Sequence, residues 1–251
     1  MKRAVEAAVA ALGLLILSPL LAGIALVVWM EDWRSPWFRG VRVAHGGGSF
    51  RMLKFRSMRP GAWKTGVNST AEDDDRITRA GAWLRRAKLD ELPQLWNVLK
   101  GQMSLVGPRP QAPADAALYT LEERRMLTVR PGITDLASIV FADEGEILKG
   151  SADPDLLYNQ IIRPWKSRLA LLYLDHQSGW TDLRIVGLTA LVLISRERAL
   201  EGVRSILKTW GADPLVQEIA RRDGPLPAHP PPGAREIVSG HRMHGYRVQS
   251  A

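Results

Sequence analysis

From Ala7 to Met30 the chain runs 24 residues without a charged side chain. A helix of about 20 apolar residues crosses a bilayer, so this run constrains the fold more than any other feature. Three readings compete. Lys2 and Arg3 resemble the basic start of a signal peptide, but the run is long for a signal core and no small-residue cleavage site follows it. A spanning helix is the second. The third starts from Ser18-Pro19, near the middle of the run. Proline removes a backbone donor and crowds the carbonyl four residues earlier, and each half is then too short to cross alone. Lys2 and Arg3 precede the run, and Arg34, Arg39, Arg42 and Arg51 follow it. Positive flanks favour the cytoplasmic side, and here both ends carry them. A re-entrant helix–break–helix satisfies both flanks and is preferred over a spanning helix. Ser18 is expected to bond a carbonyl that Pro19 leaves free.

With 46% apolar residues in 251, the chain has material for a core, and bulk disorder is excluded. There is no cysteine, which removes disulfides, zinc–thiolate sites and cysteine nucleophiles. The five histidines form no HxxxH or HxH pair, an argument against a histidine metal centre. Lys and Arg outnumber Asp and Glu 34 to 26, and that excess points to anionic partners: nucleic acid, phosphorylated substrates or a membrane surface. Nine tryptophans, against four each of Phe and Tyr, lean toward a membrane interface.

Trp29, Trp33 and Trp37 are spaced like a headgroup belt, or pack on the core. WFRGVRV and FRMLKF flank His45-Gly-Gly-Gly-Ser49 and predict a hairpin with a glycine turn. Residues 62–76, with Asp73-Asp74-Asp75, read as an exposed loop; a metal or substrate contact is the sharper alternative. Helices are predicted over 77–87, 90–100 and 121–129, and over 155–173 with a kink or split at Pro164. Leu105 to Pro110 is expected to be extended, and Arg130-Pro-Gly-Ile-Thr134 to form a turn. Ile185 to Ile194 carries no charge and suits a core helix or one lying in a membrane interface. The proline-rich tail from Asp223, with three of the five histidines, is expected to be flexible or loosely docked.

The densest chemistry runs from Lys54 to Pro110. Asp90 and Glu91 stand at a predicted helix start, where amide donors and the helix dipole favour negative charge, so Asp90 is expected to be ionised at neutral pH. Adjacent helical residues diverge by about 100°, so one carboxylate can attack phosphorus while the other holds a divalent cation. The plainer reading makes Asp90 a helix cap and Glu91 a favourable first-turn charge. Arg85, and Arg109 between two prolines, are placed to clamp phosphoryl oxygens, a combination that matches phosphoryl transfer.

KFRSM, RAGAWLRRAKLDELPQLWNVLKGQMSLVGPRP and RPGIT together resemble the bacterial sugar transferases, the monotopic phosphoglycosyl transferases. The resemblance covers roughly residues 4–195 and looks closest to the small members that carry only the catalytic core. It implies transfer of a phosphosugar from a UDP-sugar to a polyprenyl (undecaprenyl) phosphate by a ping-pong scheme, the first membrane step of polysaccharide biosynthesis. The nucleophile falls on Asp90 and the Mg²⁺ ligand on Glu91. Phosphate-binding residues fall on Arg85 and Arg109, with Lys54 and Arg56 of KFRSM as further candidates. The helix break at Ser18 and Pro19 is also a family trait. Lys88 stands where a small hydroxyl residue is usual, and Asp135 replaces the glycine common after RPGIT.

The expected fold is α+β and mostly helical: a monotopic membrane protein with a re-entrant helix over 1–30, a small cytosolic catalytic domain over 31–205, and a proline-rich extension over 206–251. The implied location is the bacterial inner membrane, with the catalytic domain on its cytoplasmic face. Expected partners are a UDP-sugar, polyprenyl phosphate and the lipid bilayer, with a homodimer as an open option and no nucleic acid. The rival class, motivated by the net charge of +8, is a catalytically inactive basic membrane-surface scaffold or a nucleic-acid binder.

Overall fold

The computed structural model describes residues 2–67 and 69–240. In chain order the elements are α1 (Lys2–Met30), β1 (Trp37–Val43), β2 (Ser49–Phe55), α2 (Arg79–Arg86), a 3₁₀ turn (Leu89–Glu91), α3 (Gln94–Leu99), β3 (Ser104–Val106), α4 (Pro113–Ala116), a 3₁₀ helix (Glu123–Thr128) and β4 (Gly132–Thr134). Then come α5 (Leu136–Val140), α6 (Glu144–Leu148), α7 (Pro154–Leu157), a π-helical turn (Tyr158–Ile162), α8 (Arg163–Asp175), α9 (Gly179–Val192), α10 (Arg196–Thr209) and α11 (Pro214–Ile219). The fold is α+β and mostly helical; the described residues contain two two-stranded sheets and one helix long and apolar enough to cross a membrane.

α1 is continuous through Pro19, which corrects the expected break at Ser18-Pro19. The lost Pro19 N–H would have served the Leu15 carbonyl, and the Ser18 hydroxyl donates to that carbonyl at 2.8 Å. One face of α1 turns inward every three or four residues, with Glu6, Ala10, Ile24 and Val28 buried. Both ends dock on the same body. Lys2 Nζ lies 2.8 Å from Asp182, and Arg3 donates to the Leu99 carbonyl at 2.7 Å. At the other end Ile24 and Val28 pack with Phe55 and Leu84.

The glycine hairpin forms as expected, with β1 and β2 antiparallel from Trp37↔Phe55 to Val43↔Ser49. Gly46 and Gly47 turn it at φ of 74° and 84°, which glycine adopts without a Cβ penalty. Trp37 stacks on Phe55, while Trp29 and Trp33 meet edge to face and stay largely exposed. RPGIT is a strand where a turn was expected: β4 pairs in parallel with β3, a long-range contact that local sequence does not announce. At that crossing a Cβ on Gly132 would sit 2.1 Å from the Gly107 nitrogen, so only glycine permits the approach.

The main core gathers Val106 and the apolar faces of α5, α8, α9, α10 and α11. The expected split near Pro164 appears as α7, the π turn and α8. Pro164 lacks the N–H that would bond the Gln160 carbonyl, and the His229 amide fills that place at 3.1 Å. This docking corrects the expectation of a flexible or loosely held tail. Buried Trp165 donates to the Pro227 carbonyl and Thr120 to that of Pro232, while Arg168 donates to Pro230. His241 and His244 of the tail lie outside the described residues.

Candidate active site

The turn that carries Asp90 and Glu91 begins with Lys88, a non-glycine residue in left-handed backbone at φ 56°. The chain then makes one 3₁₀ turn over Leu89–Glu91, and Pro93 opens α3. The single helix expected over 90–100 is therefore two pieces. Asp90 lies inside a three-residue turn and is 5% exposed, so the helix-dipole argument for its ionisation does not apply. Burial pushes its carboxyl above the usual range, opposed chiefly by Lys54 and, more weakly, by Arg85 and Arg109. Among the described residues no donor lies within hydrogen-bonding distance of that carboxylate.

Glu91 has the opposite environment. Lys54 Nζ, on β2, lies 2.7 Å from one carboxylate oxygen. Arg109 clamps both oxygens, with Nη1 to Oε2 at 3.0 Å and Nη2 on Oε1. Although burial alone would raise it, these two cations hold the Glu91 carboxyl well below the usual range. Glu91 in turn raises Arg109, while burial lowers Lys54. Two adjacent carboxylates thus have different jobs, one free and one clamped.

Long-range contacts set these positions. Asn97 on α3 accepts the Leu53 amide at 2.9 Å and donates to the Arg51 carbonyl at 2.8 Å. It thereby fixes β2, and with it Lys54, against the turn that carries Asp90 and Glu91. Arg109 is held in the extended Pro108–Pro110 segment that follows β3. Arg85 on α2 acts on Asp90 through space. Arg56 does not join the site. It pairs with Asp32 and donates to the Ser35 carbonyl, fastening the C-terminal end of α1 to the end of β2. Its nearest carboxylate is at the C-terminal end of α1, and the structure does not bring it to Glu91 with Lys54. Asp74 holds Arg76, and Asp73 accepts the Gly150 amide, so these two of the acidic triplet serve loop structure.

The sequence reading missed the wall opposite. Glu144 on α6 pairs with Lys166 on α8, and its charge acts on both Lys88 and Arg109. Lys88 Nζ donates to the Ala142 carbonyl at 3.1 Å and bridges the Asp90–Glu91 turn to this segment. Asp135 is buried and caps α5 through Ser138, while its charge supports Arg109. Only their departure from the family pattern singled out Lys88 and Asp135; nothing local marked Lys166. Arg109, Asp135, Ser138, Tyr158 and Lys166 line a cleft of about 480 Å³, open solvent included, which Asp90 and Glu91 do not line.

The described residues contain no cluster of three or more His, Asp or Glu side chains suited to a metal. Mg²⁺ keeps waters and uses one or two carboxylates plus substrate phosphates; Glu91 has both carboxylate oxygens bonded by Arg109 and Lys54, so holding the ion through Glu91 would require those contacts to open.

Comparison with known proteins places residues 1–196 within the model of the bacterial sugar transferase family. A UDP-glucose:undecaprenyl-phosphate glucose-1-phosphate transferase of Caulobacter vibrioides is 37% identical over 201 residues, covering 79% of this chain and 71% of that protein. The Escherichia coli protein of the same name is 39% identical over 196 residues, covering 75% of this chain but 39% of its own length. A putative undecaprenyl-phosphate N-acetylgalactosaminyl 1-phosphate transferase of Bacillus subtilis is 42% identical over 112 residues, 45% of this chain and 63% of that protein.

Proposed function

This chain belongs to the bacterial sugar transferase family, and from that premise we propose that it moves a sugar-1-phosphate from a UDP-sugar to polyprenyl phosphate, with Asp90 as nucleophile. The observation that carries the reading is the contrast within one turn. Asp90 is buried and unbonded amid the fields of Lys54, Arg85 and Arg109, while Glu91 beside it is clamped by two of those cations. A desolvated, unpaired carboxylate close to fixed positive charge suits attack on an anionic phosphorus centre.

An oxygen of Asp90 attacks the phosphorus that bears the sugar. The bond from that phosphorus to the bridging oxygen breaks, and UMP leaves with the electron pair. The sugar phosphate is then joined to Asp90 as a mixed anhydride. An oxygen of polyprenyl phosphate attacks the same phosphorus, the bond to Asp90 breaks, and the carboxylate is restored. Arg109 and Lys54 neutralise phosphoryl charge, and Arg85 approaches from α2. Glu91 would hold Mg²⁺ once its contacts with Arg109 and Lys54 open, and the ion would supply further neutralisation of phosphoryl charge. Hexose donors are the first choice for the sugar, since the relatives' names specify glucose and N-acetylgalactosamine.

In this proposal α1 bends at Pro19 within an unbroken helix and so enters and leaves the same leaflet. A spanning helix separates its ends by about 30 Å of hydrocarbon, whereas both ends of α1 bind one folded body. Positive residues at both flanks favour the cytoplasmic face.

The test is UMP release by purified protein across a panel of UDP-sugars. Turnover is expected only with Mg²⁺ and polyprenyl phosphate together. Without the acceptor, intact-mass analysis should find one sugar-phosphate adduct, lost in Asp90→Asn. Full turnover by that variant rules out the nucleophile, and absence of UMP release with every donor rules out the transfer.

A further inference from the structure

The family match ends at residue 196, yet the chain beyond it returns to the cleft. The cleft that Arg109 lines also carries Tyr158 and Lys166, with the lysine amine 5.4 Å from the centre of the phenol ring. Tyr158 opens the π-helical turn Tyr158–Ile162. Such turns are rare, occur mostly as single-turn bulges and gather at functional sites. This one draws support from outside. Pro164 has no N–H for the Gln160 carbonyl, and the His229 amide supplies the missing donor at 3.1 Å. The Gln160 side chain donates to the Val238 carbonyl at 2.9 Å, and Trp165, next to Lys166, donates to that of Pro227 at 3.1 Å. Residues two apart on a helix lie on nearly opposite faces, about 200° from one another. The tail therefore grips the outer face of the turn, and Tyr158 lines the cleft on the inner one.

A second contact reaches the same wall. Glu144, which pairs with Lys166, directly follows Asp143. Two guanidiniums meet on one oxygen of Asp143, Arg196 at 2.8 Å and Arg222 at 3.0 Å. Arg222 stands in left-handed backbone at φ 60°, just past α11, and lies 5.6 Å from the Phe141 ring centre. The other Asp143 oxygen and Arg222 Nε are buried with no hydrogen-bond partner among the described residues. Ion pairs left half-satisfied in this way are poor sources of stability, but they fix geometry. The geometry fixed here is the start of α6, and with it Glu144 against Lys166.

We propose that Arg222 and the His229 amide are positioning groups of the donor site: they hold Lys166 and Tyr158 in the cleft wall, where these two side chains meet the part of the UDP-sugar that extends past Arg109. Asp90 and Glu91 do not line this cleft, so the effect falls on donor binding and not on the bond-making step. The inference rests on the transferase reading, and its test separates failure of the one from failure of the other.

His229→Pro in the full chain removes that one backbone donor. It should raise KM for the UDP-sugar about fivefold, with kcat and KM for polyprenyl phosphate within about twofold of wild type. Ala228→Pro, one residue earlier and exposed, controls for the proline itself and should match wild type. Arg222→Met should also raise the donor KM, but should add nothing in a Glu144→Gln background, since it acts through that residue. Amide hydrogen exchange without substrate gives a readout apart from activity. Residues 158–166 should exchange about tenfold faster in His229→Pro, with the β1–β2 hairpin unchanged. If exchange rises in both segments, the cycle of Arg222 and Glu144 decides. An unchanged donor KM in His229→Pro, an equal rise in Ala228→Pro, or additive effects in that cycle overturns the proposal. A wild type that releases no UMP sinks the transferase reading instead, and unchanged exchange at 158–166 then removes the support of the wall as well.

Discussion

Arg163→Met should be among the most destabilising single changes in the body of this protein. The Arg163 and Glu123 side chains are 5% and 0% exposed. Arg163 bonds both Glu123 oxygens, Asn159 at 3.1 Å and the Leu118 carbonyl at 2.6 Å. Glu123 also accepts the Thr120 amide at 3.0 Å and the Ser167 hydroxyl at 2.7 Å. Methionine fills much of the arginine volume but leaves a buried carboxylate without its cation. Breaking such a pair on one side costs about 3–5 kcal/mol, because the surviving charge stays desolvated. For a chain of this size each kcal/mol moves Tm by about 2–4 °C, so the loss is about 6–20 °C. The assay is a thermal melt in one detergent at one scan rate, comparing wild type, Arg163→Met, Glu123→Gln and the double variant. The double variant should recover a large part of the loss, because neither charge is then stranded. A single-variant loss below about 1 kcal/mol, with additive costs in the cycle, refutes the claim that this pair is desolvated and coupled.

Three further outcomes follow from the site. Burial raises the Asp90 carboxyl, so its charged form costs stability above that pKa and the cost vanishes as pH falls below the unfolded value; Asp90→Asn should melt higher than wild type at neutral pH, with the difference closing in acid, and equal melting at pH 7 would contradict the buried charge. Because the nucleophile must be ionised, UMP release should fall off in acid at a pH above the ordinary carboxylate range, and Lys54→Met should move that limb further up by removing the cation that most opposes the shift; an unmoved limb would exclude Lys54 as that cation. Arg56→Ala should leave KM for the UDP-sugar within about twofold, since Arg56 is committed to Asp32, while Arg109→Ala should reduce kcat/KM by about a hundredfold or more; equal effects in steady-state kinetics would return Arg56 to the site.

What was legible in the sequence was local. The apolar run defines α1, the glycine turn defines the hairpin, and LDELPQ with GPRP marks the turn and the rigid loop that meet through Glu91 and Arg109. Even the Ser18 bond to the Leu15 carbonyl followed from the backbone donor that Pro19 lacks. Spacing along one element carries such information, because the interacting groups lie within a few residues of one another.

Tertiary structure decided the charge states and the partners. Asp90 looked like an ionised helix start; its burial inside a 3₁₀ turn instead makes its charge costly. Lys54 and Arg56 are two residues apart and chemically alike, yet one faces Glu91 and the other Asp32. Lys166 enters the cleft from α8, 76 residues beyond Asp90. Lone electrostatic partners of this kind leave no periodic trace in the chain, since desolvation and Coulomb interaction depend on distance through space and not along the sequence. The candidate groups are therefore readable along the chain, while the packing of α3, α6 and α8 around them sets which are free and which are held.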